Sequence, residues 1–265
     1  MNTVSSRDGT KIAFDKQGAG PAVILVAGAL CARLSWSGPS LSKHLASRFT
    51  VFNYDRRGRG DSGDTLPYAV EREIDDIEAL IDEAGGMAFL YGHSSGAALV
   101  LEAAVKLGDK VQKLALYEAP YNGDPKAQSA WNTYLKELGP LLAEGRRGDA
   151  VALFRKYLGL SDAQIEAMRH APTWAMLEAI APTLAYDHTA LMGQLSVPAE
   201  RAAHVRAPTL VISGSAANPF MLETARGLSQ AIPHAQLRIL EGQSHDVNVE
   251  ILAPVLTEFF GVARK

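Results

Sequence analysis

The pentapeptide Gly92-His93-Ser94-Ser95-Gly96 decides how the rest of this 265-residue sequence is interpreted. An apolar stretch at positions 87–91 precedes it, and a stretch rich in alanine and leucine, 96–107, follows it. This context predicts a very tight turn from a strand into a helix, which strains the serine backbone and projects its Oγ above the sheet. Side chains two residues to either side would collide in such a turn, so both positions need glycine. The pattern predicts that Ser94 is a catalytic nucleophile.

Strand and helix patterns alternate on both sides of this turn. Continuous apolar runs are typical of strands covered on both faces, and apolar residues at spacings of three and four are typical of amphipathic helices. Strands are predicted at positions 11–14, 22–27, 50–54, 87–91, 111–117, 209–213 and 236–240, and helices at 66–84, 96–107, 222–232 and 249–260. The alternation predicts an α/β fold with a mostly parallel sheet and helices on both faces.

The strand pattern is interrupted between positions 121 and 205. This part of the sequence has only helix-like patterns, at 131–142, 150–158 and 163–168. We therefore expect a core made of residues 1–120 and 206–265, and an inserted helical cap made of residues 121–205. Ligands of parallel sheets bind at the carboxyl ends of the strands, so the cap is expected to cover the site.

Charge and cysteine content exclude several classes of protein. The sequence has 26 Lys+Arg and 29 Asp+Glu, a formal net charge of −3, which gives no positive field for nucleic acid. One cysteine, Cys31, allows neither an internal disulfide framework nor a cysteine-rich zinc site. The N-terminus shows no secretory pattern, and the apolar run 22–30 is too short to span a bilayer. We expect a cytoplasmic protein that binds neither nucleic acid nor membrane.

Two further segments, together with residues 92–96, resemble the α/β-hydrolase family. Residues 53–62, NYDRRGRGDS, are similar to that family's D-x-R-G-x-G-x-S loop. Val26-Ala27-Gly28-Ala29 stands where the family usually has His-Gly after its third strand, with Ala27 in place of the histidine. The resemblance extends over nearly the whole chain. It implies a hydrolase whose oxyanion hole is formed by the backbone N–H groups of Ala29 and Ser95.

A neutral histidine is the general base that such a serine needs, and the sequence has seven histidines. His245 follows the last predicted strand, in the loop 241–246. In the family the base occupies this place, after the nucleophile in chain order. We therefore predict that His245 is the general base; the alternative is an ordinary exposed loop histidine.

The acid that would orient this histidine departs from the family's usual pattern. The family's carboxylate most often lies three positions beyond a glycine that ends the next-to-last strand, and here Ala217 occupies that place. Glu118 instead ends the strand that follows the nucleophile helix, an arrangement similar to that of the haloalkane dehalogenases. We predict that Glu118 is the acid; the alternatives are Asn218, Asp246 or no acid at all.

The combined pattern predicts a serine hydrolase that cleaves an ester, thioester or lactone through an acyl-enzyme. Carbon–carbon hydrolysis, hydroxynitrile-lyase chemistry and a non-catalytic binding protein are the alternatives. No metal-ligand spacing and no dinucleotide motif is recognised, so neither a metal nor a cofactor is expected. The substrate is expected to be a small, apolar and uncharged molecule. Trp36, Trp131 and Trp174 are candidate substrate contacts, with core packing as the alternative for each.

Overall fold

The computed structural model of this chain describes residues 1–261, in which strands and helices alternate. The strands are β1 (Asn2–Ser5), β2 (Lys11–Gln17), β3 (Ala22–Val26), β4 (Thr50–Tyr54), β5 (Ala88–His93), β6 (Val111–Tyr117), β7 (Thr209–Gly214) and β8 (Gln236–Leu240). The helices are α1 (Gly38–Leu45), α2 (Val70–Glu83), α3 (Ser95–Leu107), α4 (Pro125–Ala143), α5 (Arg147–Tyr157), α6 (Asp162–Arg169), α7 (Trp174–Ile180), α8 (Ala199–Ala202), α9 (Pro219–Ala231) and α10 (Val249–Gly261). Two 3₁₀-helices, Gly108–Lys110 and Ala181–Thr183, and a π-helix, Ala185–Leu191, are also present. None of the described helices is both long enough and apolar enough to cross a membrane.

The strands of the described residues form one eight-stranded sheet, in the order β1-β2-β4-β3-β5-β6-β7-β8. β2 pairs antiparallel with both β1 and β4, whereas every pair from β4 to β8 is parallel. The carboxyl ends of β3, β5, β6 and β7 therefore lie side by side at one edge of the sheet. The predicted fold class, a mostly parallel sheet with helices on both faces, is confirmed.

Each face of the sheet has its own apolar core, because alternate side chains of a strand point to opposite faces. In β3, Ile24 and Val26 belong to the core that includes the buried faces of α2 and α3. Val23 and Leu25 belong to the core that includes α1 and α10. All five residues of β3 are buried, as its continuous apolar pattern predicts.

The helix predicted at 66–84 begins four residues later, at Val70. Pro67 occupies the predicted first turn, and Ala69 has extended backbone angles, φ −147° and ψ 153°. The helix therefore begins only after both residues. The apolar pattern also does not predict α7 or the π-helix, which are seven residues long each and too short to establish a repeat.

The segment between β6 and β7 contains α4 to α8 and the π-helix, and it is called the helical insertion below (residues 121–205). Its interior is aromatic: the ring of Trp131 lies 5.2 Å from that of Tyr134 and 5.1 Å from that of His188. The Tyr134 hydroxyl also lies 2.7 Å from His188 Nδ1. The helical insertion therefore has a packed interior of its own, while its exact boundaries stay a prediction.

Candidate active site

Ser94 lies on the turn between β5 and α3, as the pentapeptide predicts. Its backbone angles are φ +57° and ψ −125°, a conformation that L-residues rarely adopt. A Cβ on Gly92 would lie 2.6 Å from the Ala97 Cα, and a Cβ on Gly96 would lie 2.6 Å from the Ala27 carbonyl oxygen. Both glycines are therefore needed because the backbone approaches them so closely.

Gly96→Ala should lower the free energy of unfolding by at least about 1–3 kcal/mol, because the new Cβ has to push the end of β3 away. Urea denaturation measures this loss. Gly227→Ala in α9 is the matched control: its Cβ would lie at an ordinary 3.6 Å from Val197. That variant should gain about 0.5–1 kcal/mol, since alanine loses less backbone entropy than glycine in a helix. Similar unfolding curves for both variants would contradict the close approach at Gly96.

The loop after β3 borders Ser94. A Cβ on Gly28 would lie 3.0 Å from the Ser94 Cβ and 3.5 Å from its Oγ, so Gly28 and the adjoining Ala29 pass beside the serine. Ser95, on the other side, is the buried first residue of α3. The loop lacks the family's histidine at Ala27, and a buried arginine holds it instead. Arg56 Nη1 donates to the Ala27 carbonyl oxygen and to the Ser95 Oγ, each at 3.3 Å.

Arg56 belongs to a cluster of four buried charges that joins the core to the helical insertion. Its guanidinium lies 2.7 Å from Glu73 of α2 and 2.8 Å from Asp187 of the π-helix. Arg59 lies 3.4 Å and 2.6 Å from the same two carboxylates, and no side chain of the four is more than 1% exposed. Burial alone would raise the pKa of Asp187, but the two guanidiniums outweigh it and hold this pKa below its ordinary value. Asp187 thereby ties the helical insertion to the residues that flank Ser94.

Glu118 and His245 are 127 positions apart in the sequence and are hydrogen-bonded, with 2.8 Å between Oε2 and Nδ1. The Glu118 side chain is fully buried directly after β6, where its φ is +46°. Its other oxygen, Oε1, accepts from the backbone N–H of Gly214 at 2.8 Å and from the Ser213 hydroxyl at 3.3 Å. Both carboxylate oxygens therefore have partners, and one of them faces the imidazole.

The loop that carries His245 is fixed to the end of β6. The Tyr117 hydroxyl donates to the carbonyl oxygen of Ser244 at 2.5 Å. Because Nδ1 of His245 faces the carboxylate, a neutral ring carries its proton there and leaves Nε2 as an acceptor. The alternative acid Asn218 is engaged elsewhere: its Oδ1 accepts from the backbone N–H of Phe220 and caps α9.

His93, the residue before the serine, packs against this pair. The centroid of its ring lies 4.9 Å from that of His245 and 5.2 Å from that of Tyr117, on which it stacks. Burial and, secondarily, the neighbouring His245 lower the pKa of His93 from 6.5 to about 3. His93 is therefore neutral wherever His245 could act as a base.

The low pKa of His93 predicts that acid weakens the folded state. The unfolded chain binds a proton at this residue near pH 6.5, but the folded chain does so only near pH 3. The stability due to neutral His93 is therefore complete above pH 6.5 and is lost as the pH falls. Between pH 6.5 and 5.5 this loss should be about 1 kcal/mol in the free energy of unfolding.

Urea unfolding of two histidine variants at these two pH values isolates the contribution of His93. His93→Gln should remove it, whereas His44→Gln, at an exposed position of α1, should retain the full pH dependence. A wild-type pH dependence in His93→Gln would assign the effect to other groups.

Trp36 lies beside the candidate site, and the other two tryptophans lie inside the helical insertion. The Trp36 ring approaches His93 edge-on, with 6.2 Å between ring centroids. Trp131 is 2% exposed in the aromatic interior, and Trp174 is 6% exposed beneath the guanidinium of Arg169. Contact with a substrate stays a prediction for all three.

Sequence reasoning does not identify Arg56 or Asp187 as residues of the site. The run of arginines in residues 53–62 could have indicated Arg56, because an arginine in a buried loop needs carboxylate partners. Asp187 lies in a short polar segment of the helical insertion that gives no such indication.

Known proteins resemble this chain in sequence and in structure. The profile of the "Alpha/beta hydrolase family" matches residues 23–255. The crystal structure of an alpha/beta hydrolase from Sphaerobacter thermophilus DSM 20745 has a TM-score of 0.88 and 49% identity, and the match covers 98% of this chain and 100% of that one. A protein named as carbamate hydrolase RutD, from Caulobacter sp. (strain K31), is 28% identical over 213 residues, 77% of either chain. An N-formylmaleamate deformylase from Pseudomonas putida is 33% identical over 109 residues, 40% of either chain.

Proposed function

This chain belongs to the alpha/beta hydrolase family, and we propose that it is a serine hydrolase with Ser94, His245 and Glu118 as its catalytic triad. The observation that carries the proposal is the 2.8 Å hydrogen bond between Glu118 Oε2 and His245 Nδ1. It pairs an acid with a base in a chain whose Ser94 has the strained backbone of a nucleophile elbow.

In the proposed reaction, Ser94 Oγ attacks the carbonyl carbon of the substrate while His245 Nε2 takes the hydroxyl proton. Glu118 keeps the imidazole in the tautomer whose Nε2 accepts, and its charge stabilises the imidazolium that forms. The backbone N–H groups of Ala29 and Ser95 donate to the negatively charged oxygen of the tetrahedral intermediate.

The intermediate then collapses and the bond to the leaving group breaks. The leaving group takes the proton from His245 and departs, and Ser94 remains as an acyl ester. A water molecule gives a proton to the same imidazole and attacks this ester. The imidazolium then returns that proton to the departing Ser94 Oγ, which releases the acid and restores the serine.

We propose that the protein cleaves the bond between the acyl carbon and the leaving group of an ester, a thioester or a lactone. Acyl transfer to serine needs an electrophilic carbonyl carbon and a leaving group that the imidazolium can protonate. The names of two relatives, a carbamate hydrolase and an N-formylmaleamate deformylase, specify carbonyl carbons bonded to nitrogen. Carbamates and N-formyl amides therefore belong in the test.

The helical insertion, residues 121–205, is proposed to cap this site and to select a small-molecule substrate. The ion pairs of Asp187 with Arg56 and Arg59 support this role, because they fix the π-helix next to the loop that borders Ser94. The alternative of a non-catalytic binding protein depended on the lack of an Asp or Glu side chain near Asn218. Glu118 supplies a carboxylate from the neighbouring strand end, which favours catalysis.

A turnover screen with the full chain tests the proposed function. It compares simple esters, thioesters, lactones, carbamates, N-formyl amides, β-diketones and cyanohydrins, with Ser94→Ala as the background. We expect turnover of at least one acyl class that disappears in Ser94→Ala. Turnover of β-diketones alone would indicate a carbon–carbon hydrolase, and turnover of cyanohydrins alone would indicate a hydroxynitrile lyase. Turnover that survives in Ser94→Ala would contradict the proposal.

A further inference from the structure

Arg155 of α5 is a cation without a counter-ion inside the helical insertion. Its Nε is buried and makes no hydrogen bond, and no carboxylate among residues 1–261 lies within ion-pair distance of its guanidinium. The buried arginine Arg56, by contrast, has two carboxylate partners. A buried donor without an acceptor costs free energy, and a bound ligand that accepts from this Nε would offset the cost.

Two groups that interact electrostatically with Arg155 stand next to residues of the candidate active site in the sequence. These groups are Cys31 and Asp246. Cys31 lies two positions beyond Ala29 of the loop that borders Ser94, and Asp246 follows the proposed base His245. Because one of these groups is on each loop, the guanidinium lies within electrostatic reach of both loops.

The electrostatics of the half-buried Arg155 also differ from those of the fully buried Arg56. Burial lowers its pKa, and its two neighbours do not compensate. The same burial acts on Arg56, where the carboxylates of Asp187 and Glu73 outweigh it and raise the pKa. Among residues 1–261, Arg155 is thus an arginine whose desolvation its neighbours do not compensate.

We propose that Arg155 binds a carboxylate group of the substrate, so that the protein acts on carbonyl compounds that carry a second, negatively charged end. The planar guanidinium matches a carboxylate in shape and can donate two parallel hydrogen bonds to it. A single negative charge suits this position, because the nearby Asp246 would repel a doubly charged phosphate more strongly. The proposal rests on the proposed function for the cleavage step and replaces the uncharged substrate that the sequence led us to expect.

A kinetic comparison of matched esters tests this assignment. Monomethyl glutarate and methyl valerate have the same chain length, but the first ends in a carboxylate and the second in a methyl group. The monomethyl succinate/methyl butyrate and monomethyl adipate/methyl hexanoate pairs vary the distance between the ester and this end group. The wild type should prefer the anionic ester of at least one pair by about 10- to 100-fold in kcat/KM, the value of a charge-assisted hydrogen bond. In Arg155→Met this ratio should fall towards one, mainly through a higher KM.

Two further variants distinguish recognition of the carboxylate by paired hydrogen bonds from an effect of charge alone and from an effect of losing any arginine of this helix. Arg155→Lys keeps the charge without the paired donors and should retain part of the preference. Arg147→Met removes an exposed arginine from the same helix and should retain all of it. A wild type without preference for any anionic ester, or an Arg155→Met variant that keeps the preference, would overturn the assignment.

Thermal unfolding in the Ser94→Ala background tests binding independently of hydrolysis. Glutarate, succinate or adipate should raise the Tm of Ser94→Ala, because a ligand that binds only the folded state stabilises it. The rise should be absent when Arg155→Met is added, while Arg155→Met without ligand should itself raise the Tm because an unpaired buried charge is removed. A marked fall in its Tm would show that Arg155 is structural and would overturn the proposal.

The two experiments also separate this inference from the proposed function. Hydrolysis by Ser94 without any dependence on Arg155 would leave the serine hydrolase standing and reject the carboxylate site. Binding of dicarboxylates that depends on Arg155, in a protein that hydrolyses nothing, would support the site and reject the hydrolase.

Discussion

Glu118→Gln should lower kcat by about 10³- to 10⁴-fold, the loss expected when a triad acid is replaced by its amide. The contacts of Glu118 explain why the loss is so large. The N–H of Gly214 and the hydroxyl of Ser213 both donate to Oε1, so the glutamine oxygen has to stay on that side. Its NH₂ group then faces His245 Nδ1 and donates to it. That hydrogen bond holds the proton on Nε2, where the base can no longer accept a proton from Ser94.

Asn218→Ala is the matched control for the acid, because Asn218 lies near the place where the family usually has its carboxylate. Its side chain caps α9, so the variant should lose about 1 kcal/mol of stability and less than about tenfold in kcat. Steady-state kinetics on a substrate found by the screen give both values. The opposite order, with a large loss in Asn218→Ala and a small one in Glu118→Gln, would assign the acid to another residue.

Asp187→Asn should lower the free energy of unfolding by about 3–5 kcal/mol, the usual cost of removing one partner from a buried ion pair. The substitution preserves the size of the side chain but leaves Arg56 and Arg59 with Glu73 as their one remaining charged partner in the cluster. Because Arg56 also holds the Ala27 carbonyl oxygen and Ser95, activity should fall together with stability.

Asp149→Asn provides the comparison within the same helical insertion. Asp149 also accepts from two arginines, Arg146 and Arg169, but its side chain is 42% exposed. Water and salt screen such a pair, so its loss should be less than about 1 kcal/mol. Urea denaturation of both variants measures the difference, and equal losses would contradict the buried character of the Asp187 cluster.

The strands of the core and the positions of their ends could be predicted from the sequence, because short runs of neighbouring residues encode them. A continuous apolar run marks β3, and the residues after β5 and β6 are necessarily at the carboxyl edge of the sheet, which brings Ser94 and Glu118 to one side. The move of the acid from the end of β7 to the end of β6 is consistent with strand order, since these two strands are neighbours. His245 follows β8, so its loop has to reach past β7 to bring the imidazole to Glu118.

The contacts of the helical insertion could not be predicted in this way. Arg59 and Asp187 are 128 positions apart, and no periodic pattern encodes their pairing. Arg155 stands beside a second basic residue, Lys156, on an amphipathic helix, so the sequence indicates a solvent-exposed side chain. Only the packing of α5 against the other helices of the insertion makes this arginine half-buried.

Active-site labelling tests directly whether Ser94 is a nucleophile activated by His245 and Glu118. A fluorophosphonate reacts with activated serines and leaves a covalent adduct that peptide mass spectrometry can locate. We expect one adduct, on Ser94, with labelling that is abolished in Ser94→Ala and strongly slowed in Glu118→Gln. A wild-type protein that stays unlabelled, or that carries its adduct on another residue, would contradict the role of Ser94 as the nucleophile.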